Sequence, residues 1–312
     1  MKKHYLLTSV LLAALGLQTG LSAPAHAGPA AGTAADASKS ASASSNSHSA
    51  AVYKAGLPLF ASSAKLPEAI KYLNSNIYAL SPYQATVLTL KLENLHKAAL
   101  PAWESRFSSS QIQRKLTSVY KPEVSMAKLA AGTEDPSLQA LIKNAGEHGY
   151  KLETAEGSFF PVIDYAAYRK YKLYVTEDIR DYISIMAIES DLPSSKDNGL
   201  VIAWTDVADR ALSQERFTQK HPKSNRIGTV KNLYANYVLN TFYGQNNTPL
   251  FHYENLEMDL EAQKAYSSIL AKNNEGSPFL QKLEGLMKIL KQNGYKLDNE
   301  VEQYLKKEVP LS

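Results

Sequence analysis

The clearest candidate for chemistry is Glu189, a carboxylate that directly follows the apolar run Ile185–Ile188. Large apolar side chains beside a few carboxylates form either part of the core or a functional site. Asp191 follows two residues later, and Asp197 lies in the polar segment that continues to Gly199. We therefore expect a site, if the chain has one, at this point, with Glu189 as the catalytic candidate and Asp191 and Asp197 as binding candidates.

The segment Ile185–Ser190 resembles the catalytic segment of lytic transglycosylases, which are secreted all-α enzymes that cleave peptidoglycan. In that family one Glu works as general acid and base, and the resemblance implies this role for Glu189. The family continues with a Gly-Leu-Met-Gln segment that lines the sugar groove. This chain continues with Asp191–Pro193 instead and reaches Gly199–Ile202 later. The alternative interpretation of Glu189 is a surface carboxylate at the end of a helix.

Tyrosine is unusually frequent, because the chain has 19 Tyr but only 8 Phe. A tyrosine ring offers a flat apolar face and a hydroxyl, which suits stacking on sugars or burial in a protein interface. Two pairs stand at helical spacing, and we take all four as candidate binding residues: Tyr165, Tyr168, Tyr234 and Tyr237. The alternative is that these rings fill the outer layer of the core and that only their hydroxyls reach water.

Metal and cofactor chemistry has little support in the sequence. Beyond residue 27, no histidines form the His-x-x-x-His or His-Glu-x-x-His patterns that are typical of zinc hydrolases. The histidines of this part of the chain are His48, His96, His148, His221 and His252. No calcium-loop pattern occurs, and the polar residues 191–199 have the wrong spacing for one. Cysteine is absent, and neither a glycine-rich phosphate loop nor a serine-hydrolase motif is present. The sequence predicts no metal and no cofactor, and it favours a non-enzymatic protein over an enzyme.

The charges are nearly balanced, with 34 Lys and Arg against 30 Asp and Glu. Two of the basic residues, Lys2 and Lys3, lie at the extreme N-terminus, so the rest of the chain is closer still to neutrality. Nucleic-acid binders concentrate basic residues on one surface, and the longest such block here is the pair Lys306-Lys307. We therefore expect no nucleic-acid partner.

The N-terminus has the features of a secretory signal peptide. Met-Lys-Lys-His is followed by the apolar run Tyr5–Leu21 and then by Ala25–Ala27, a small-residue cleavage site. The predicted signal peptide is residues 1–27. The apolar run is too short and too polar for a spanning helix, so we expect a secreted, soluble protein with no membrane span after cleavage. Residues 28–50 are mostly Ala, Ser, Gly and Thr, which predicts a low-complexity, flexible linker.

From residue 51 to residue 312 the pattern of apolar residues is helical. Ser81-Pro82 is a helix-start signal. The apolar stripe that follows alternates spacings of three and four: Ala85, Leu88, Leu92, Leu95 and Ala99. Pro101 is expected to end or kink this helix. Similar stripes recur between Gly and Pro loops, and they predict an all-α domain, a multi-helix bundle or array of helical hairpins with little or no sheet.

Two sequence echoes bear on how the helices are organised. Gly149–Leu152 and Gly294–Leu297 share the sequence Gly-Tyr-Lys-Leu, and each follows an amphipathic stretch. They raise the alternative of two helical halves with a boundary near residue 157. Residues 215–244 resemble the helix-turn-helix phrase of tetratricopeptide-type repeats, and the resemblance implies a helical hairpin there.

These patterns favour a binding or scaffolding module that acts outside the cytoplasmic membrane, at the cell wall. The expected partner is a cell-wall glycan or another extracytoplasmic protein. The runner-up is a glycan-cleaving enzyme of the lytic-transglycosylase type with Glu189 as general acid and base. A third interpretation is a structural or stress-related secreted protein without a small ligand.

Overall fold

The computed structural model describes residues 35–272 and 276–311, with side chains from residue 46 onward. The chain divides into two compact units, Met1–Ser44 and Ser45–Ser312. The predicted signal peptide lies outside the described residues. In the second unit helices predominate and strands form only two-stranded sheets, which confirms the predicted all-α fold class.

The helices are α1 Ala35–Gly56, α2 Leu66–Asn76, α3 Pro82–Phe107, α4 Ser110–Val119, α5 Met126–Ala131, α6 Pro136–Glu147, α7 Glu177–Asp191, α8 Trp204–Lys220, α9 Ile227–Tyr243, α10 Leu260–Lys272, α11 Pro278–Gln292 and α12 Asn299–Glu308. Short 3-10 helices are Leu57–Phe60, Ser63–Lys65, Ile77–Ala79 and Tyr165–Tyr171. The strands pair in chain order as antiparallel hairpins: β1 Tyr150–Ala155 with β2 Ser158–Ile163, β3 Ser195–Lys196 with β4 Gly199–Leu200, and β5 Gly244–Gln245 with β6 Thr248–Pro249.

Helix α3 begins where the sequence predicts and ends later. The Ser81 hydroxyl accepts a hydrogen bond from the Gln84 amide at 3.3 Å, and the Gln84 side chain accepts one from the Ser81 amide at 3.1 Å. This reciprocal capping box satisfies donors that the first turn of a helix leaves free. Pro101 does not end the helix, which continues to Phe107. Packing around Trp103 and Phe107, which are both buried, holds the last turns in place.

The predicted linker, residues 28–50, is described from residue 35 onward, where it forms the first part of α1. Alanine has the highest helix propensity, so an Ala- and Ser-rich segment can extend a helix that is anchored at one end. Ser49 supplies such an anchor, because it is buried and its hydroxyl accepts a hydrogen bond from the Ser81 amide at 2.9 Å. The end of the predicted linker therefore belongs to the folded domain.

The buried side chains form two large clusters that follow one another along the chain. The first runs from Phe60 to Ile183, and the second runs from Trp204 to Val309. A small third cluster takes residues from both of these stretches of the chain and from between them: Tyr182, Ile185, Phe217 and Val230. Residue 157 lies in the turn between β1 and β2. The change from the first large cluster to the second falls between Ile183 and Trp204, the part of the chain that carries Glu189, Asp191 and Asp197.

Candidate functional site

Glu189 lies in the last turn of α7 and meets side chains from the next two helices. The Tyr237 hydroxyl of α9 is 2.6 and 2.8 Å from the two carboxylate oxygens. The Arg210 guanidinium of α8 is 3.4 Å from one of them. The Glu189 side chain is only 16% exposed. Burial raises its pKa, although the hydrogen bond from Tyr237 and the charge of Arg210 act in the opposite direction.

These three side chains, which we call the Glu189 cluster, bind one another. Arg210 donates to the Leu192 carbonyl at 2.9 Å and to the Tyr237 hydroxyl at 3.0 Å as well as to Glu189. The arrangement fastens the end of α7 to α8 and α9. A raised pKa and slight exposure are properties of a general acid, whereas the saturated hydrogen bonding is typical of a structural ion pair.

Asp191 has a different neighbour. Its carboxylate pairs with Arg169 of the 3-10 helix Tyr165–Tyr171, and both side chains are almost half exposed. The pair raises the pKa of Arg169, chiefly through the hydrogen bond to Asp191. Exposed ion pairs of this kind contribute little to stability, about 0–1 kcal/mol. The structure therefore does not add Asp191 to the Glu189 cluster.

Asp197 joins the turns of neighbouring hairpins. It occupies the β3–β4 turn, where φ is 51° at Asp197 and 57° at Asn198, a left-handed pair that suits a tight two-residue turn. The Asp197 carboxylate accepts a hydrogen bond from the Glu156 amide in the β1–β2 turn. The Asn247 side chain in the β5–β6 turn donates to the Asp197 carbonyl at 2.5 Å, and the Asn247 amide donates to the Asn198 carbonyl at 2.9 Å.

The tips of the hairpins form one exposed surface, which we call the hairpin-tip surface: residues 156–157, 197–198 and 246–247. The side chains of Glu156, Asn198 and Asn246 make no hydrogen bond to any described residue and are exposed. Tyr253 borders this surface and is 67% exposed, and its hydroxyl donates to the Asn246 carbonyl at 3.2 Å. The surface thus combines a fixed backbone, free polar side chains and one accessible aromatic ring.

The four tyrosines predicted from helical spacing are not surface residues. Tyr165, Tyr168 and Tyr237 are buried, and Tyr234 is half-buried. Tyr165 and Tyr168 do lie together, with ring centres 5.4 Å apart. The geometry matches the alternative of core packing, and the four hydroxyls hydrogen-bond to side chains of the protein: Glu93, His96, Glu215 and Glu189.

Sequence reasoning missed Glu93, a buried carboxylate that binds the hydroxyls of Tyr165 and Tyr182. It accepts hydrogen bonds from Tyr165 at 2.7 Å, Tyr182 at 2.5 Å and the Arg226 Nε at 2.6 Å, and Lys97 lies 2.7 Å away. Burial alone would raise its pKa, but the charges of Arg226 and Lys97 outweigh burial and lower it. A usable signal exists in α3, where buried polar residues recur at spacings of three, four and three: Thr86, Thr89, Glu93 and His96.

His96 continues this buried network. Its Nδ1 lies 2.6 Å from the Tyr168 hydroxyl, and its Nε2 has no hydrogen-bond partner among the described residues. The Nε2 instead faces Gly149, where an added Cβ atom would lie only 2.3 Å away. Burial lowers the pKa of His96 to about 4, so the ring is neutral at physiological pH.

Two small cavities flank the network. One is lined by Thr89 and Glu93 among others and leaves about 10 Å³ for the centre of a water molecule. The other is lined by His96, Gly149 and Lys170 among others and leaves about 30 Å³. One water needs roughly 10–15 Å³ on this measure. These cavities fit one or two waters and are too small for a substrate.

Glu215 is the third buried carboxylate that binds a tyrosine. It accepts hydrogen bonds from the Tyr234 hydroxyl at 3.0 Å and from the Phe279 amide at 2.9 Å, and it also binds the Ser277 hydroxyl. These contacts place a negative charge at the start of α11, where a helix favours one. Glu215 is therefore a capping group for a neighbouring helix.

The described residues contain no group of three or more His, Asp or Glu side chains arranged to hold a metal ion. None of the helices in the described ranges is both long enough and apolar enough to span a membrane. The chain matches no protein-family model, no curated protein and no solved structure.

Proposed function

We propose that the protein is an exported binding module that recognises glycan at the cell wall through the hairpin-tip surface. The observation that supports this most is the hydrogen bonding of Asp197 and Asn247, which joins neighbouring turns into one exposed, ordered polar surface. Sugars present rows of hydroxyl groups that need donors and acceptors in fixed positions. A surface that is ordered before binding loses less entropy when the ligand arrives.

Tyr253 supplies the apolar part of such a site. The residue is two-thirds exposed, and its hydroxyl donates a hydrogen bond to the Asn246 carbonyl. A flat aromatic face can cover the C–H face of a sugar ring, while neighbouring polar groups fix its orientation. The free amides of Asn198 and Asn246 and the Glu156 carboxylate are the polar groups available for this.

The buried carboxylates support a binding role over a catalytic one. Glu93, Glu189 and Glu215 each accept a hydrogen bond from a tyrosine and each join separate helices or loops. These contacts give the three carboxylates a structural role. Their oxygens already accept hydrogen bonds, which leaves little access for a substrate group.

The test is co-sedimentation of the purified protein with purified cell wall. We expect the wild-type protein to sediment with the wall and Tyr253→Ala to bind about tenfold more weakly, the loss typical of an aromatic anchor. Tyr78→Ala is the matched control, because Tyr78 is similarly exposed but lies in the 3-10 helix Ile77–Ala79, outside the hairpin-tip surface. Wild-type protein that stays in the supernatant, or Tyr253→Ala that sediments normally, would contradict the proposal.

One observation favours the second candidate, a glycan-cleaving enzyme. Glu189 combines a pKa raised by burial with a side chain that still reaches solvent. The same incubation separates the two functions. Release of soluble wall fragments that Glu189→Gln abolishes would establish the enzyme, whereas sedimentation without fragment release supports the binding module. A protein that neither binds nor cleaves leaves the purely structural interpretation.

A further inference from the structure

The segment 251–261, which we call the acidic loop, displays apolar side chains to solvent. Tyr253, Leu256 and Leu260 are 67%, 48% and 65% exposed. Single exposed apolar residues are ordinary, but several on one short segment mark an interaction surface. Tyr253 borders the hairpin-tip surface, whereas Leu256 follows three residues later and Leu260 is the first residue of α10.

The backbone of the acidic loop is held on both sides. Within the loop, the His252 amide donates to the Glu257 carbonyl and the Leu256 amide donates to the His252 carbonyl, both at 2.9 Å. From outside the loop, the Leu297 amide donates to the Leu256 carbonyl at 2.8 Å. Phe251 and Met258 pair as a β-bridge and are buried. The backbone of Leu256 is thus held in place by hydrogen bonds, and the entropic cost of ordering this residue on binding is small.

Leu256 also has a left-handed backbone, with φ at 59°. Bulky residues rarely adopt this conformation, whereas Asn and Gly adopt it readily. Strain of this kind is common where a structure presents a functional group. Leu256 keeps this strained backbone conformation in the folded protein, and its apolar side chain is exposed.

Four carboxylates alternate with these apolar residues in the sequence: Glu254, Glu257, Asp259 and Glu261. Asp259 is used within the fold, because it accepts a hydrogen bond from the Ala262 amide at 2.9 Å and lies 3.8 Å from His252. Glu254 has no ion pair among the described residues, while Glu257 and Glu261 make only exposed pairs with Lys296 and Lys264. The chain as a whole has a formal net charge of +4. The acidic loop is therefore a negative, partly apolar surface on a chain of opposite net charge.

We propose that the acidic loop docks a segment of another protein in which apolar side chains are flanked by Lys or Arg. Leu256 and Leu260 would contact the apolar side chains, and the exposed carboxylates would contact the cations. Charge complementarity of this kind selects partners and speeds their encounter. The same carboxylates would repel anionic lipid, so the observations favour a basic protein segment. This docking site adds a second binding surface to the one proposed for glycan.

The test uses a set of synthetic peptides with a central leucine pair flanked by lysines, and measures binding by isothermal titration. We expect the wild-type protein to bind the lysine peptides, and to bind them less tightly as salt is raised. Peptides with glutamate in place of lysine, or serine in place of leucine, should bind at least about tenfold more weakly.

Leu256→Asn is the decisive variant, because it removes the apolar side chain and relieves the left-handed strain together. We expect its thermal midpoint to rise while its affinity for the lysine peptides falls about tenfold. Misfolding could not produce that combination. Glu123→Asn is the control, because Glu123 is exposed and left-handed at a φ of 61° but lies outside the loop, and it should bind the peptides as the wild type does.

Several outcomes would overturn the docking proposal. These are lysine peptides that do not bind, equal binding by the glutamate peptides, and unchanged binding by Leu256→Asn. Self-association of the wild-type protein that Leu256→Asn abolishes would assign the loop to a second copy of the chain instead. Binding of Leu256→Asn to purified cell wall is measured separately, since a loss there would place the loop within the glycan site.

Discussion

Buried ionisable side chains decide how this protein responds to pH at the scale of single residues. Glu93, His96 and Glu189 each lie among tyrosines, yet burial and charge act on them with different results. The pKa of Glu93 is lowered by Arg226 and Lys97 despite its burial, the pKa of His96 is lowered by burial, and the pKa of Glu189 is raised by burial. Each direction leads to a distinct expected effect of pH on stability.

His96 should make the protein less stable in mild acid. Its pKa is about 4 in the folded state against an ordinary value of 6.5, so between these values only the unfolded chain takes up the proton. The free energy of unfolding should therefore fall by about 3 kcal/mol as pH drops through this window, and His96 adds no further loss below it. Urea unfolding of wild type and His96→Gln at pH 7 and pH 5 checks this, and parallel pH dependence in both proteins would contradict it.

Glu189 should act in the opposite direction. Its pKa is raised in the folded state, so the folded protein keeps this proton to higher pH than the unfolded chain does. Its charged form therefore lowers stability at neutral pH, and that cost is removed as pH falls toward the ordinary carboxyl pKa. We expect Glu189→Gln to be at least as stable as wild type in urea at pH 7. A loss of about 3 kcal/mol or more would instead show that the ion pair with Arg210 dominates.

At the scale of elements, close approach of the β1–β2 hairpin to α3 depends on Gly149. Gly149 follows α6 with φ at 77°, and a Cβ atom there would collide with the His96 ring. Gly157 in the hairpin turn has a similar φ of 71°, but an added Cβ would meet nothing within 4 Å. The two glycines therefore form a matched pair that separates backbone strain from crowding.

We expect Gly157→Ala to cost about 1–2 kcal/mol, the strain of a left-handed alanine. Gly149→Ala should cost this amount and about 1–3 kcal/mol more, because the core must shift to admit the methyl group. Thermal or urea unfolding of both variants measures the difference. Equal losses would show that the His96 ring moves aside without cost.

The sequence predicts the helices well and the strands poorly. Ser81 is a predicted cap that the structure confirms. Asp135, Ser277 and Asp298 cap α6, α11 and α12 in the same way, each accepting a hydrogen bond from a backbone amide three residues later. These signals are local, so one sequence suffices to find them. The β1–β2 hairpin was not predicted, because its pairing partners lie across a turn and Pro161 interrupts the apolar pattern of β2. The helix does not end at Pro101, because the buried aromatic residues Trp103 and Phe107 stabilise the turns that follow it.

The candidate site was predicted only in part, for a similar reason. Glu189 and Asp197 were chosen from local patterns, and both take part in contacts that join several elements. Their partners Tyr237, Glu156 and Asn247 are far away in the sequence. Tyr253 was missed because nothing in the local pattern distinguishes an exposed tyrosine from the buried ones.

At the scale of the whole molecule, Arg226 joins parts of the fold that carry different buried clusters. It lies at the start of α9 and binds Glu93 and Asn94 of α3, at 2.6 and 3.0 Å. The Glu93 end of this pair is almost fully buried. Removing Arg226 would therefore leave a buried carboxylate with only Lys97 as a cationic partner.

We expect Arg226→Met to lower the free energy of unfolding by about 3–5 kcal/mol at pH 7, the usual cost of breaking a buried pair. Arg169→Met is the control, because the Arg169–Asp191 pair is exposed, and it should cost less than about 1 kcal/mol. The pair of variants is compared by urea unfolding. Similar small losses for both would show that the buried pair does not hold the two parts of the fold together.

The central claim is that the hairpin-tip surface binds wall glycan. Titration of the wild-type protein and Tyr253→Ala with purified soluble cell-wall glycan fragments tests it most directly. The account predicts saturable binding by the wild type, weakened about tenfold by Tyr253→Ala and unchanged by Tyr78→Ala. Equal affinity of wild type and Tyr253→Ala, or no binding by the wild type at all, would contradict it.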